Sequence, residues 1–109
     1  MDATAHAPTL DAAIDDYLHL IVRTRPWTKA REEELLDAFC DWVYARSGLD
    51  PTLAAASPTL AARHAADAGY TPAAAAELSA ALGRLAAWAV ARGLMAGNPF
   101  GGREECESA

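Results

Sequence analysis

Twice in this chain a hydroxyl residue is followed directly by proline, at Ser57-Pro58 and Thr71-Pro72, and each pair opens a run with apolar residues at helical spacing. Proline suits the first helical position because its missing N–H is one that a helix leaves unpaired anyway. A Ser or Thr before it accepts from the free amides that follow. Gly48, Gly69 and Gly93 stand where such runs end, and glycine takes the left-handed stop without steric cost. Starts and stops of this kind leave room for little except short helices in series.

Thr9 is placed to cap a first helix from Leu10, whose stripe Leu10, Ala13, Ile14, Tyr17, Leu18, Ile21 and Val22 recurs every three or four residues. Pro26 ends it by pushing the preceding residue out of helical geometry. Thr28 is the expected cap of a second helix to Arg46, with Leu35, Leu36, Phe39, Trp42 and Val43 inward and Glu32, Glu33 and Glu34 near the positive end of its dipole. The third helix runs from Pro58 to about Gly69, with Leu60, Ala61, His64, Ala65 and Ala68 inward. The fourth runs from Pro72 to Arg92, with Leu78, Leu82, Leu85 and Trp88 or Ala89 on its stripe. No strand alternation or useful repeat appears. The expected fold class is all-α, a single four-helix bundle-like domain over residues 9–100, with a flexible N-terminal arm at 1–8 and a disordered acidic tail at 101–109.

A length of 109 residues allows one core, and its apolar share of 52% is swollen by alanine, which favours helix but buries little area. Nine Lys and Arg against fifteen Asp and Glu give a net charge of -6, which disfavours a polyanionic partner unless the cations gather on one face. Cys40 in an apolar stripe and Cys106 in an acidic stretch point to a reducing compartment without a disulfide. No run comes near the ~18 apolar residues of a membrane span and MDATAHAPTL has no basic leader, so a cytoplasmic location is expected.

Glycine-rich phosphate loops, nucleophile and histidine pairings, metal-ligand spacings and HExxH are absent from the sequence. Catalysis, cofactor and metal are therefore not expected. His6, His19 and His64 are scattered and read as surface or satisfied side chains; Asp11, Asp15, Asp16, Asp37 and Asp41 read as solvated helix faces.

The stretch that departs from this background is RTRPWTKAR, Arg23 to Arg31, which holds four of the nine basic residues around a proline turn and a tryptophan. A turn feeding a helix N-terminus offers free amides and a positive dipole end, so Arg23, Arg25, Lys29, Arg31 and the Thr28 hydroxyl suit one or two phosphates. The competing expectation is that Arg23 and Arg25 complement the dipole of the first helix while Trp27 packs into the core.

With AIDDYLHLI, the Thr-started LLDAFCDWVYARSG helix, LDPTLAAASPTL and YTPAAAAELSAALGRLAAWAVARGLMAGNPF laid out in order, the chain resembles the N-terminal core-binding, SAM-like domain of tyrosine recombinases and phage integrases. The likeness runs from about Leu10 to Phe100, and its most specific piece is the final helix closing in Gly-Leu, a short spacer and Asn-Pro. It implies half of a clamp around duplex DNA, serving DNA recombination and integration, with the second and fourth helices towards the groove and backbone. On that resemblance Thr28, Lys29 and Arg31 match the start of the second helix, and Thr71, Arg84 and Arg92 match the fourth. Ala73, Ala74, Ala76, Glu77, Ala80 and Gly83 stand where relatives usually carry further polar or basic groups. The catalytic Arg, Lys, His-x-x-Arg and nucleophilic Tyr of the family belong to a second domain that these residues do not supply, so strand cleavage is not expected of them.

Two functions follow as expectations. One is a DNA-binding module contacting duplex backbone weakly, paired with a recombinase catalytic domain or with a second copy. The other is an acidic helical module for protein interaction or dimerisation that has kept the fold and lost DNA binding, using its alanine-rich fourth helix for close approach.

Overall fold

Three of the four expected caps form as the hydroxyl chemistry dictates. The Thr9, Ser57 and Thr71 side chains accept from the amides of Ala12, Leu60 and Ala74 at 3.1, 3.3 and 3.1 Å. In the computed structural model, which describes residues 9–48 and 51–100, these caps open α1 (Leu10–Thr24), α3 (Pro58–Ala68) and α4 (Pro72–Ala91). The fourth helix in the set, α2, spans Lys29–Ser47, and single 3-10 turns occupy Pro26–Thr28 and Leu53–Ala55. Among the described residues there is no strand, only a bridge between Thr9 and Thr52 that fixes the second turn beside the start of α1. The expected arm and tail, with His6 and Cys106, lie outside the described residues.

Thr28 does not cap α2. The Pro26–Thr28 turn runs straight into that helix, so Thr28 already has helical backbone angles, φ -101 and ψ -7, whereas a capping residue needs an extended backbone. Its hydroxyl instead donates to the Arg25 carbonyl at 3.0 Å and to the Glu32 carboxylate at 2.8 Å.

The core is built from the predicted stripes, with α4 packed against the other three helices. Val22 at the end of its stripe is 48% exposed, Ala68 is exposed, and Ala89 rather than Trp88 is fully buried. By length and composition α4 is apolar enough to cross a bilayer, its mean hydropathy reaching 1.2, against the expectation that no run comes near such a span. That apolarity is mostly alanine, and Leu78, Ala81, Leu82, Leu85, Ala86 and Ala89 are buried in the bundle.

Beyond α4 the chain turns back on itself. Gly93, at φ 77, closes a Schellman turn in which its N–H reaches the Val90 carbonyl at 3.0 Å and the Leu94 N–H reaches the Ala89 carbonyl at 2.8 Å. Leu94 and Met95 then pack on the core, and the Asn98 side-chain amide donates to the Gly83 carbonyl at 3.2 Å while accepting the Phe100 N–H at 2.9 Å. Phe100 is buried directly over Gly83: a Cβ at position 83 would lie 3.3 Å from the Phe100 Cβ. Gly83, which costs helix propensity, is thus the seat for the returning ring.

His64 sits buried among Phe39, Trp42 and Tyr70, with ring centroids 5.2 to 5.7 Å away. Its Nε2 pairs with the Tyr70 hydroxyl at 3.2 Å, and its Nδ1 has no partner among the described residues. Burial lowers its pKa, with Asp67 pulling the other way. Since the fold favours the neutral ring, the unfolded chain takes up the proton first, and stability contributed by neutral His64 is lost as pH falls below 6.5.

Two stability outcomes follow. Gly83→Val should expel Phe100 and cost on the order of 2 kcal/mol in urea unfolding, with no added loss when combined with Phe100→Ala, because both remove the same contact. His64→Phe should flatten the fall in stability below pH 6.5, read as a change in the slope of denaturation midpoint against pH.

Candidate nucleic-acid interface

The basic turn is organised around one buried carboxylate. Glu32, on the first turn of α2, is 2% exposed and accepts hydrogen bonds from the Tyr17 hydroxyl on α1 and the Thr28 hydroxyl, each at 2.8 Å. Arg25 from the turn and Arg84 from α4 approach it at 3.7 and 3.5 Å, and Arg25 also donates to the Tyr17 oxygen at 3.3 Å. Burial pushes the Glu32 carboxyl up, but the two hydroxyl donors and the two guanidinium charges outweigh it, and its pKa is lowered. Tyr17 is raised by burial, reinforced by its bond to the Glu32 anion.

The remaining cations divide into two kinds. Lys29 pairs with Glu33 at 2.6 Å, and Arg31 bridges Glu34 at 3.0 Å and Glu77 of α4 at 2.6 Å. The contact with Glu77 raises Arg31 and lowers Glu77. Arg23 and Arg92 have no carboxylate within 4 Å among the described residues; they line a cleft of about 390 Å³ between α1 and α4, where the Arg92 guanidinium lies 5.3 Å from the centre of the Trp88 ring. Six cations, four from Arg23–Arg31 and two from α4, therefore face five carboxylates, Glu32, Glu33, Glu34, Glu77 and the Asp16 of the cleft, and the surplus is small.

Of the residues singled out in the sequence, Arg25, Thr28 and Arg84 meet at Glu32, Arg31 is tied to α4 through Glu77, and Arg23 and Arg92 share the cleft. Thr71 is engaged at the start of α4, where it caps the Ala74 amide. Trp27 is 77% exposed rather than packed in the core: the 3-10 turn, fixed by the Thr28 N–H on the Arg25 carbonyl at 3.0 Å, leaves its indole in solvent. The missed residue is Glu32. It falls three, four and seven residues before Leu35, Leu36 and Phe39, on the buried stripe itself, and a carboxylate in that register has to be paired.

Away from the turn, Asp37 of α2 has its pKa raised by burial and by the charges of Glu33, Asp11 and Asp41, so this side of the bundle is acidic. Among the described residues no three His, Cys, Asp or Glu side chains are grouped to hold a metal ion.

Glu32→Ala leaves two hydroxyls and two guanidinium groups around an empty position and should cost about 2–3 kcal/mol, less than a fully buried pair because both arginines reach solvent. Because the carboxyl is lowered below 4.5 in the folded chain, its stabilisation is complete above that pH and is lost as pH falls through the folded value. Glu32→Gln should abolish that acid-limb loss in a pH series of thermal melts.

Comparison with described protein families, with curated proteins and with solved structures gives no match, so the functional reading rests on the chain's own residues and geometry.

Proposed function

We propose that this chain is a DNA-binding module of the recombinase core-binding kind, one that holds duplex backbone without cleaving it. The observation that carries the reading is the convergence of cations from separate parts of the sequence. Arg25 and Arg84 meet on Glu32, and Arg23 and Arg92 meet across one cleft. The order of the four helices and the Asn98-Pro99 segment folded behind α4 suit the same reading. A recombinase catalytic domain or a second copy is the partner such a module would serve.

The internal ion pairs set the strength of the contact. With about one uncompensated charge on this face, the plot of log affinity against log salt should have a slope of about -1, since each neutralised phosphate contributes about -0.9. Fluorescence anisotropy with labelled duplexes of unrelated sequence should give equal, weak binding at low salt; no binding by folded protein in low salt would overturn the proposal.

A second reading, a protein-interaction or dimerisation module, draws on Trp27, whose 77% exposure is accompanied by exposed Leu20 and Val22 on α1. Light scattering separates the two. A concentration-dependent mass that Trp27→Ser abolishes favours association; a monomer at all concentrations argues against self-association.

A further inference from the structure

The cleft between α1 and α4 differs from the rest of the basic face in one respect: its two guanidinium groups are not committed to carboxylates. Arg23 and Arg92 line it with no ion pair among the described residues, whereas Arg25, Lys29 and Arg84 each have one and Arg31 has two. Its volume of about 390 Å³ lies within the usual range of about 300–1,000 Å³ for small-molecule sites.

The remaining lining residues narrow the ligand chemistry. Leu20 and Trp88 give an apolar floor, with the Trp88 ring held edge-on by Tyr17 at 6.1 Å and covered at one position by Arg92 at 5.3 Å. Asp16 supplies an acceptor, and His19, whose Nδ1 donates to the Asp15 carbonyl at 2.8 Å, presents the edge of its ring. A bare anion would use the arginines and be repelled by Asp16. A ligand carrying an anion, a flat or aliphatic body and its own N–H or O–H donors would use all of them.

We infer that this cleft binds a nucleotide unit: the phosphate on Arg23 and Arg92, the sugar or base over Leu20 and Trp88, and a base amine or sugar hydroxyl donating to Asp16. Its source is either an unpaired end of a DNA strand or a free mononucleotide. The first source rests on the DNA-binding reading above; the second does not.

Three tryptophans make the test specific, because the Trp88 indole lines the cleft while Trp42 donates to Asp67 at 3.0 Å and Trp27 stands in the 3-10 turn. The full chain labelled with nitrogen-15 is titrated with deoxyadenosine monophosphate, a 5′-phosphorylated single strand, a blunt duplex and inorganic phosphate, following the indole N–H signals. The expected result is a saturable shift of the Trp88 signal with the mononucleotide or the single strand, a stationary Trp42 signal, and little response to inorganic phosphate. Arg23→Gln, which leaves the Trp88–Arg92 stack in place, should weaken that binding about fivefold, and Arg92→Gln at least as much, through lost charge-assisted bonds; circular dichroism checks that both variants fold.

If Trp88 stays unmoved by mononucleotide and single strand while duplex binding persists, the cleft inference fails and the DNA reading stands. If the mononucleotide shifts Trp88 while no DNA binds, the DNA reading fails and the cleft stands with the free nucleotide as its ligand. A response to inorganic phosphate equal to that of the mononucleotide would overturn the role given to Leu20 and Trp88.

Discussion

Burying one carboxylate at the start of α2 obliges three other parts of the chain to come to it. An ion of that kind is costly to dehydrate, and the cost is offset only where donors surround it. Glu32 collects Tyr17 from α1, Thr28 and Arg25 from the intervening turn, and Arg84 from α4. The interaction therefore ties α1, α2 and α4 together at one point by directional bonds, beside the non-directional burial of Leu10, Ile14, Leu36, Phe39, Leu82 and Leu85. It also explains why Thr28 gives up its capping role: the hydroxyl is more valuable to the fold beside an anion in a dry setting than over amides that water can reach.

The same arrangement connects architecture with charge. Of the cations that look available in RTRPWTKAR, Arg25 is drawn into holding the helices together, glutamates of α2 and α4 answer Lys29 and Arg31, and Arg23 is left to the cleft. A surface organised in this way presents guanidinium groups in set positions but with little net field, so its contacts depend on geometry at short range rather than on attraction from a distance.

The helices were legible because their signals are local. Ser57-Pro58, Thr71-Pro72 and the stripes of α1 and α4 need no tertiary information, and the structure follows them to within a residue or so. Local signals fail where the surroundings override them: the Thr28 hydroxyl turns to Glu32 instead of capping, and a tight turn leaves Trp27 in solvent instead of in the core. The site was legible only as a set of cations. Which of them are spent on carboxylates depends on Glu77 and Glu32 reaching across helices, and sequence spacing carries no trace of that for Arg31 and Glu77, 46 residues apart.

The clasp between Phe100 and Gly83 also determines the geometry of departure. From Ala91 back to Gly83 is eight helical residues, or about 12 Å at 1.5 Å each. Polypeptide continuing past Phe100 thus sets out from beside the middle of α4 and not from its tip. Phe100, the last described residue, is itself held there by the burial of its ring, so the point of departure is a fixed place on the flank of the bundle.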